Sequence, residues 1–224
     1  MSYYLDLEKI SIDQYREKLE SSYMPPSRMI LKEKLNERFS YFKTMGIKNV
    51  KELVQLLKKK GKIDELSRVS CLSGDYLTIL LRELNSLQPK PNKISDFPGI
   101  SKETISKLEK TGINNTEKLF YKVIRKTDRQ KLAKETGIDE KDILELAKLS
   151  DLSRIKWVGV TFARMLFELG IDSVEKAAAT DASDLHQRIA KLNKEKSIYK
   201  GQIGLNDMRI FVEAAKEIQP EIEY

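Results

Sequence analysis

The run Asp96-Phe97-Pro98-Gly99-Ile100-Ser101, followed by residues 102–111 and then Gly112-Ile113, decides how this chain is read. A Pro-Gly turn opens onto a helix whose Ile105 and Leu108 share a face. Gly112 then stops that helix in the left-handed conformation that glycine tolerates best. The unit is turn, helix, stop. Backbone amides in such a turn, set at a helix N-terminus, suit an anion such as a nucleic-acid phosphate, held without reading a base. The same turn also serves simply to pack helices, and at this point both roles stand.

The unit is one of a set. A gap-free shift of 66 residues lays Phe39 on Ile105, Phe42 on Leu108, Gly46 on Gly112, Ile47 on Ile113 and Leu53 on Leu119, and lays the helix-capping Ser73 on Asp139. A second shift, of 58, lays Leu108 on Leu166, Gly112 on Gly170, Ile113 on Ile171 and Lys118 on Lys176. The expected fold is all-α, with three degenerate tandem helix-hairpin-helix-like modules of about 60 residues each, behind an N-terminal helical arm.

Local signals fill in the elements. Ser11 and Gln14 form a capping box that starts a helix over 12–21, and Pro25-Pro26 ends it. Ser27 is expected to cap a helix running through Ile30, Leu31 and Leu35 to Phe39 and Phe42. In the middle module helices are expected over about 101–111, then around Leu119, Phe120, Val123 and Ile124, then over about 128–135. Asp139 caps a last one. Gln88-Pro89-Lys90-Pro91 reads as extended linker, because prolines at alternate positions favour extended chain. The expected organisation is therefore an arm over 1–28, a first module over 29–88, a linker over 89–92, a second module over 93–152 and a third over 153–224. In the last, the polar run Asn193 to Gly201 reads as a loop and a modified cap.

Charge and composition narrow the partners. Lys and Arg exceed Asp and Glu by seven in 224 residues, and the surplus lies in residues 1–90, with 17 basic against 12 acidic side chains, rather than in 154–224, with 11 of each. That suits a polyanion engaged more at the front than at the back. One cysteine, Cys71, and one histidine, His186, exclude an intrachain disulfide and a zinc site of several Cys and His. Neither a signal segment nor a run of membrane-helix length is evident, so a cytoplasmic protein is expected.

Phe97-Pro98-Gly99-Ile100-Ser101 and Trp157-Val158-Gly159-Val160-Thr161 each lead into a helix and a Gly-Ile stop, and look like degenerate helix-hairpin-helix motifs. Residues from about 93 to 218 resemble an uncharacterised bacterial family, domain of unknown function 4332. The hairpin resemblance implies sequence-independent DNA binding through turn amides and a nearby basic side chain, or a protein-contact module. Two departures stand out. The usual hairpin carries a second glycine where this chain has Ser101 and Thr161. A side chain there restricts the approach of a phosphate, although a hydroxyl also donates to one. The first module has no hairpin glycine at all.

The candidate contacts follow. Gly99, Ile100, Ser101 and Lys102 form one expected phosphate cradle, and Gly159, Val160, Thr161 and Arg164 a weaker second. Lys58, Lys59, Lys60 and Lys62 recur 66 residues later as a cluster of Arg125, Lys126 and Arg129, read either as solvated loops or as contacts adding positive field. Phe97 and Trp157 are expected to anchor their turns in the core rather than stack on bases. No phosphate-binding Gly-rich motif and no nucleophile with a base is evident. The expected protein is non-enzymatic and uses no cofactor, metal, membrane or small-molecule substrate. It binds nucleic acid, duplex DNA foremost, or else is a protein-interaction scaffold that keeps the fold without the DNA.

Overall fold

The computed structural model describes residues 1–224 and is all-helical. The α-helices are α1 (Ile12–Ser21), α2 (Leu35–Thr44), α3 (Val50–Lys58), α4 (Lys62–Leu66), α5 (Gly74–Ser86), α6 (Lys102–Lys110) and α7 (Thr116–Phe120). They continue with α8 (Lys126–Thr136), α9 (Glu140–Leu152), α10 (Val160–Glu168), α11 (Val174–Ala179), α12 (Ala182–Lys196) and α13 (Leu205–Lys216). Short 3-10 turns cover Pro26–Lys32 and Ile94–Asp96. No helix is long and apolar enough to cross a membrane.

Two compact units divide the chain, one of residues Leu5–Gln88 and the other of Met1–Tyr4 together with Pro89–Tyr224. In the first, Ile12, Tyr15 and Leu19 of α1 share a core with Phe39, Phe42, Leu53, Tyr76 and Leu80. Residues 1–28, read from sequence as an arm, thus supply α1 to this core. Ser27 does not cap a continuous helix: Pro25 precedes a 3-10 turn, Lys34 takes a left-handed φ of 48°, and α2 starts afresh at Leu35. The reason lies in Arg38. Its buried guanidinium donates to the carbonyls of Ile30 (2.8 Å), Glu33 (2.9 Å) and Cys71 (2.9 Å), and a continuous helix would use the first two internally.

The second unit holds two cores. Leu108, Ile113, Phe120, Leu132 and Ile143 lie in one, and Ile155, Leu166, Ile171, Leu185 and Phe211 in the other. Helix α9 serves both, Ile143 and Leu146 facing the first and Leu149 and Leu152 the second. Helix α7 ends at Phe120, short of the expected Val123 and Ile124. Those two residues are buried in the following turn, and both their carbonyls accept from Arg129 Nη1. In the third segment α12 runs on to Lys196, so the expected polar loop is helical over its first half.

One corner recurs three times. Gly46, Gly112 and Gly170 have φ of 80°, 80° and 77°, and in each case the next residue (Ile47, Ile113, Ile171) donates back to Phe42, Leu108 or Leu166. Asn49, Asn115 and Ser173 then cap the next helix through bonds from the amides of Glu52, Lys118 and Lys176. The unit is closed by a buried network. Arg154 pairs with fully buried Asp151 (2.8 Å) and donates to the carbonyls of Tyr3 (3.3 Å) and Gln219 (2.9 Å). Asp151 also accepts from Tyr224 (3.0 Å) and from the Val174 amide (3.0 Å). Burial pushes the Asp151 carboxyl up, against the pull of Arg154. The Tyr3 hydroxyl meets Thr116 Oγ1 at 2.7 Å, and its ring lies edge-on to Phe120.

Candidate nucleic-acid interface

Residues 97–102 and 155–160 follow one pattern: a bend, a two-residue turn, two residues outside regular structure, the second of them extended, and the first residue of a helix. Gly99 has φ 86° and Trp157 has φ 67°, so the tryptophan occupies the glycine's place. Ser101 is the N-cap of α6 and Gly159 the N-cap of α10. The equivalence is therefore the shift of 58 seen at Leu108 and Gly112, not the shift of 60 that pairs Gly99 with Gly159. Gly159 has φ −87°, an ordinary value open to any residue, and Thr161 lies inside α10 rather than in the turn.

The two helix starts differ in chemistry. Ser101 Oγ accepts from the Thr104 amide (3.0 Å) and meets Thr104 Oγ1 at 2.9 Å, so its hydroxyl is used within the protein. At α10 the glycine N-cap offers no side-chain acceptor. The start of α10 therefore keeps the donor groups that Ser101 satisfies in α6. Of the two helix starts, that of α10 is the one without a side-chain cap.

Arg164 does not extend toward either turn's solvent side. It is buried, pairs with Glu145 of α9 at 2.8 Å, and lies against Gly99, where a Cβ would sit 3.5 Å from Nη2. It braces the first turn instead of reaching a phosphate from the second. Phe97 is buried in the core containing Ile155 and Leu166, as an anchor should be. Trp157 is not: it is 41% exposed, with the Lys156 ammonium 4.1 Å from the ring centroid. Ile155, two residues earlier, fills the anchoring position in its place.

The basic residues separate likewise. Lys58, Lys59 and Lys60 are exposed at the end of α3 in the unit Leu5–Gln88, while Lys62 is drawn to Glu65. In the other unit Lys102, Arg125 and Lys126 are exposed, and Arg129 is buried on carbonyls and unavailable to a ligand. Ile100 is partly buried against both cores of its unit, and Val160 against one. The feature that residue-by-residue reading missed is the exposed Trp157. Its signal was present in the 58-residue shift, which places a tryptophan on Gly99.

The model of the family described as Domain of unknown function (DUF4332) matches residues 98–218, more than half of the chain. No curated protein and no solved structure matches it.

Proposed function

The chain belongs to the DUF4332 family, and from its own geometry we propose that it is a non-enzymatic protein binding duplex DNA through the backbone, without base readout. The observation that carries this reading is the start of α10. Its N-cap, Gly159, is exposed and gives the helix no side-chain acceptor, and the first turn of α10 holds no acidic residue. A helix start with no side-chain cap and no acidic residue in its first turn suits a phosphate oxygen. In this reading the hairpins are degenerate helix-hairpin-helix motifs in a tandem array. The second one makes the contact, Lys156, Lys102, Arg125 and Lys126 add field, and Lys58, Lys59 and Lys60 offer a further basic surface on the other unit. The first hairpin, plugged by Ser101 and braced by Arg164, acts in packing.

The test titrates a labelled mixed-sequence duplex at low and physiological salt. Three or four phosphate contacts would make affinity fall on the order of tens-fold over that range. Gly159→Ser supplies the missing cap acceptor, so it should steady α10 and weaken binding about tenfold by occupying its amides. Absence of binding at low salt removes the reading and leaves the protein-interaction scaffold. Unchanged affinity in a folded Gly159→Ser protein moves the contact away from α10.

A further inference from the structure

Residues 219–224, which follow α13, hold no Lys or Arg and carry Glu221 and Glu223. They have no regular structure, yet they are tied to the fold along their length. Arg154 donates to the Gln219 carbonyl (2.9 Å), Ile222 is buried in the core of Leu108 and Phe120, the Glu223 amide donates to the Ile124 carbonyl (2.9 Å), and the Tyr224 hydroxyl donates to Asp151 (3.0 Å). An irregular segment held at four points is a strap.

Its path sets a negative charge beside a positive turn. The Ile124 carbonyl that receives the Glu223 amide immediately precedes Arg125 and Lys126, the exposed basic pair at the start of α8. Two further charges belong to this turn: Asp128 accepts from the Arg125 amide (3.1 Å), and Arg129 is buried on the carbonyls of Val123 and Ile124. Burial lowers the Arg129 guanidinium from its ordinary value, and Tyr224, Glu223 and Asp128 oppose that shift, so the strap is felt electrostatically at this turn. Arg125, Lys126 and Glu223 are exposed, and none of them forms an ion pair. Ile222 and the backbone bonds fasten the strap; the Glu223 carboxylate adds only charge. A fixed carboxylate beside exposed cations opposes any second anion that approaches them.

We propose that residues 219–224 are an autoinhibitory strap, which holds the Glu223 carboxylate against the turn of Arg125 and Lys126 and so weakens the grip of that turn on a phosphate backbone. This rests on the nucleic-acid reading above and adds a regulatory element to it.

The test titrates the labelled mixed-sequence duplex at low salt with the full chain and its variants. One surface charge at this range changes affinity about threefold, so Glu223→Gln should bind about threefold more tightly and Glu223→Lys about tenfold. Neither should lower the melting temperature, because Ile222 and the backbone bond of residue 223 are kept. In a protein that already carries Arg125→Ala and Lys126→Ala, Glu223→Gln should gain nothing. Equal affinity of the parent and a folded Glu223→Gln protein, or the same gain without Arg125 and Lys126, would overturn the autoinhibition while leaving duplex binding in place. Failure of every form to bind the duplex removes the nucleic-acid reading and the role of the strap with it.

Discussion

The turns at residues 97–101 and 155–159 trace the same path, yet one is closed on the protein and the other is open. In the first, glycine takes the left-handed position, Ser101 caps the helix and Arg164 covers the turn from α10. In the second, tryptophan takes that position and glycine stands at the cap. The two residue types have in effect changed places. The lesson is that a glycine in such a turn has two separate jobs, conformational freedom at one position and an uncovered backbone at another. Sequence spacing alone does not say which job a given glycine performs.

The largest effect expected on this comparison comes from Arg164→Ala. Removing the guanidinium strands Glu145 and uncovers the Gly99 turn, at a cost of about 2 kcal/mol. Urea unfolding followed at Trp157 reports on this unit, and a loss below a few tenths would mean that the first turn needs no brace. Next comes the left-handed position itself. Gly99→Ala should destabilise by about 1 kcal/mol and Trp157→Gly should stabilise by a similar amount, read by thermal circular dichroism. Effects of the same sign would break the equivalence of the two positions.

The smallest effect separates the corners that follow α6 and α10. Lys118 Nζ holds the Gly112 carbonyl at 3.1 Å, while Lys176 and Lys148 both hold the Asp172 carboxylate. Burial alone would raise the Asp172 carboxyl, but the hydrogen bonds and charges of the two lysines outweigh it and leave it below the ordinary aspartate range. A depressed folded value adds stability that is present above the unfolded value, about 3.9, and is lost as the pH falls through the folded one. Asp172→Asn should therefore cost about 0.5 kcal/mol at neutral pH and nothing once the carboxyl is protonated. Lys118→Met, which loses a bond to a carbonyl, should show no such pH dependence. Parallel acid titrations of the two variants by urea midpoint would reveal the difference.

Much of the fold was legible because its signals are local. Ser11 with Gln14 marks the start of α1, Asp139 that of α9, and the Gly-Ile pairs at 46, 112 and 170 mark three helix ends by a requirement that few other residues meet. What was illegible depends on long side chains turning inward. Arg38, Arg129 and Arg164 look like surface charge in sequence, but each is buried, the first two on loop carbonyls that end helices early and the third on Glu145. Nothing in local spacing distinguishes such an arginine from a solvated one, since its partners lie five or more residues away in the chain. The candidate site was half legible. The turns were found, but the motif match put Gly159 on Gly99, and only the helix stops at Gly112 and Gly170 carry the register that the backbone follows.

The buried network at Arg154 also has a consequence for the order in which the chain folds. Tyr3 joins the unit Pro89–Tyr224 through a contact spanning 151 residues, one of the costliest loops this chain closes. Closing so long a loop is expected to follow assembly of the helices around Phe120 rather than to start it. Such a contact is expected to form after the folding barrier, so that Tyr3→Ala should speed unfolding more than it slows folding in stopped-flow measurements. On that expectation Tyr3 and its carbonyl bond to Arg154 would act as a clasp, setting the lifetime of the folded unit and not its rate of formation.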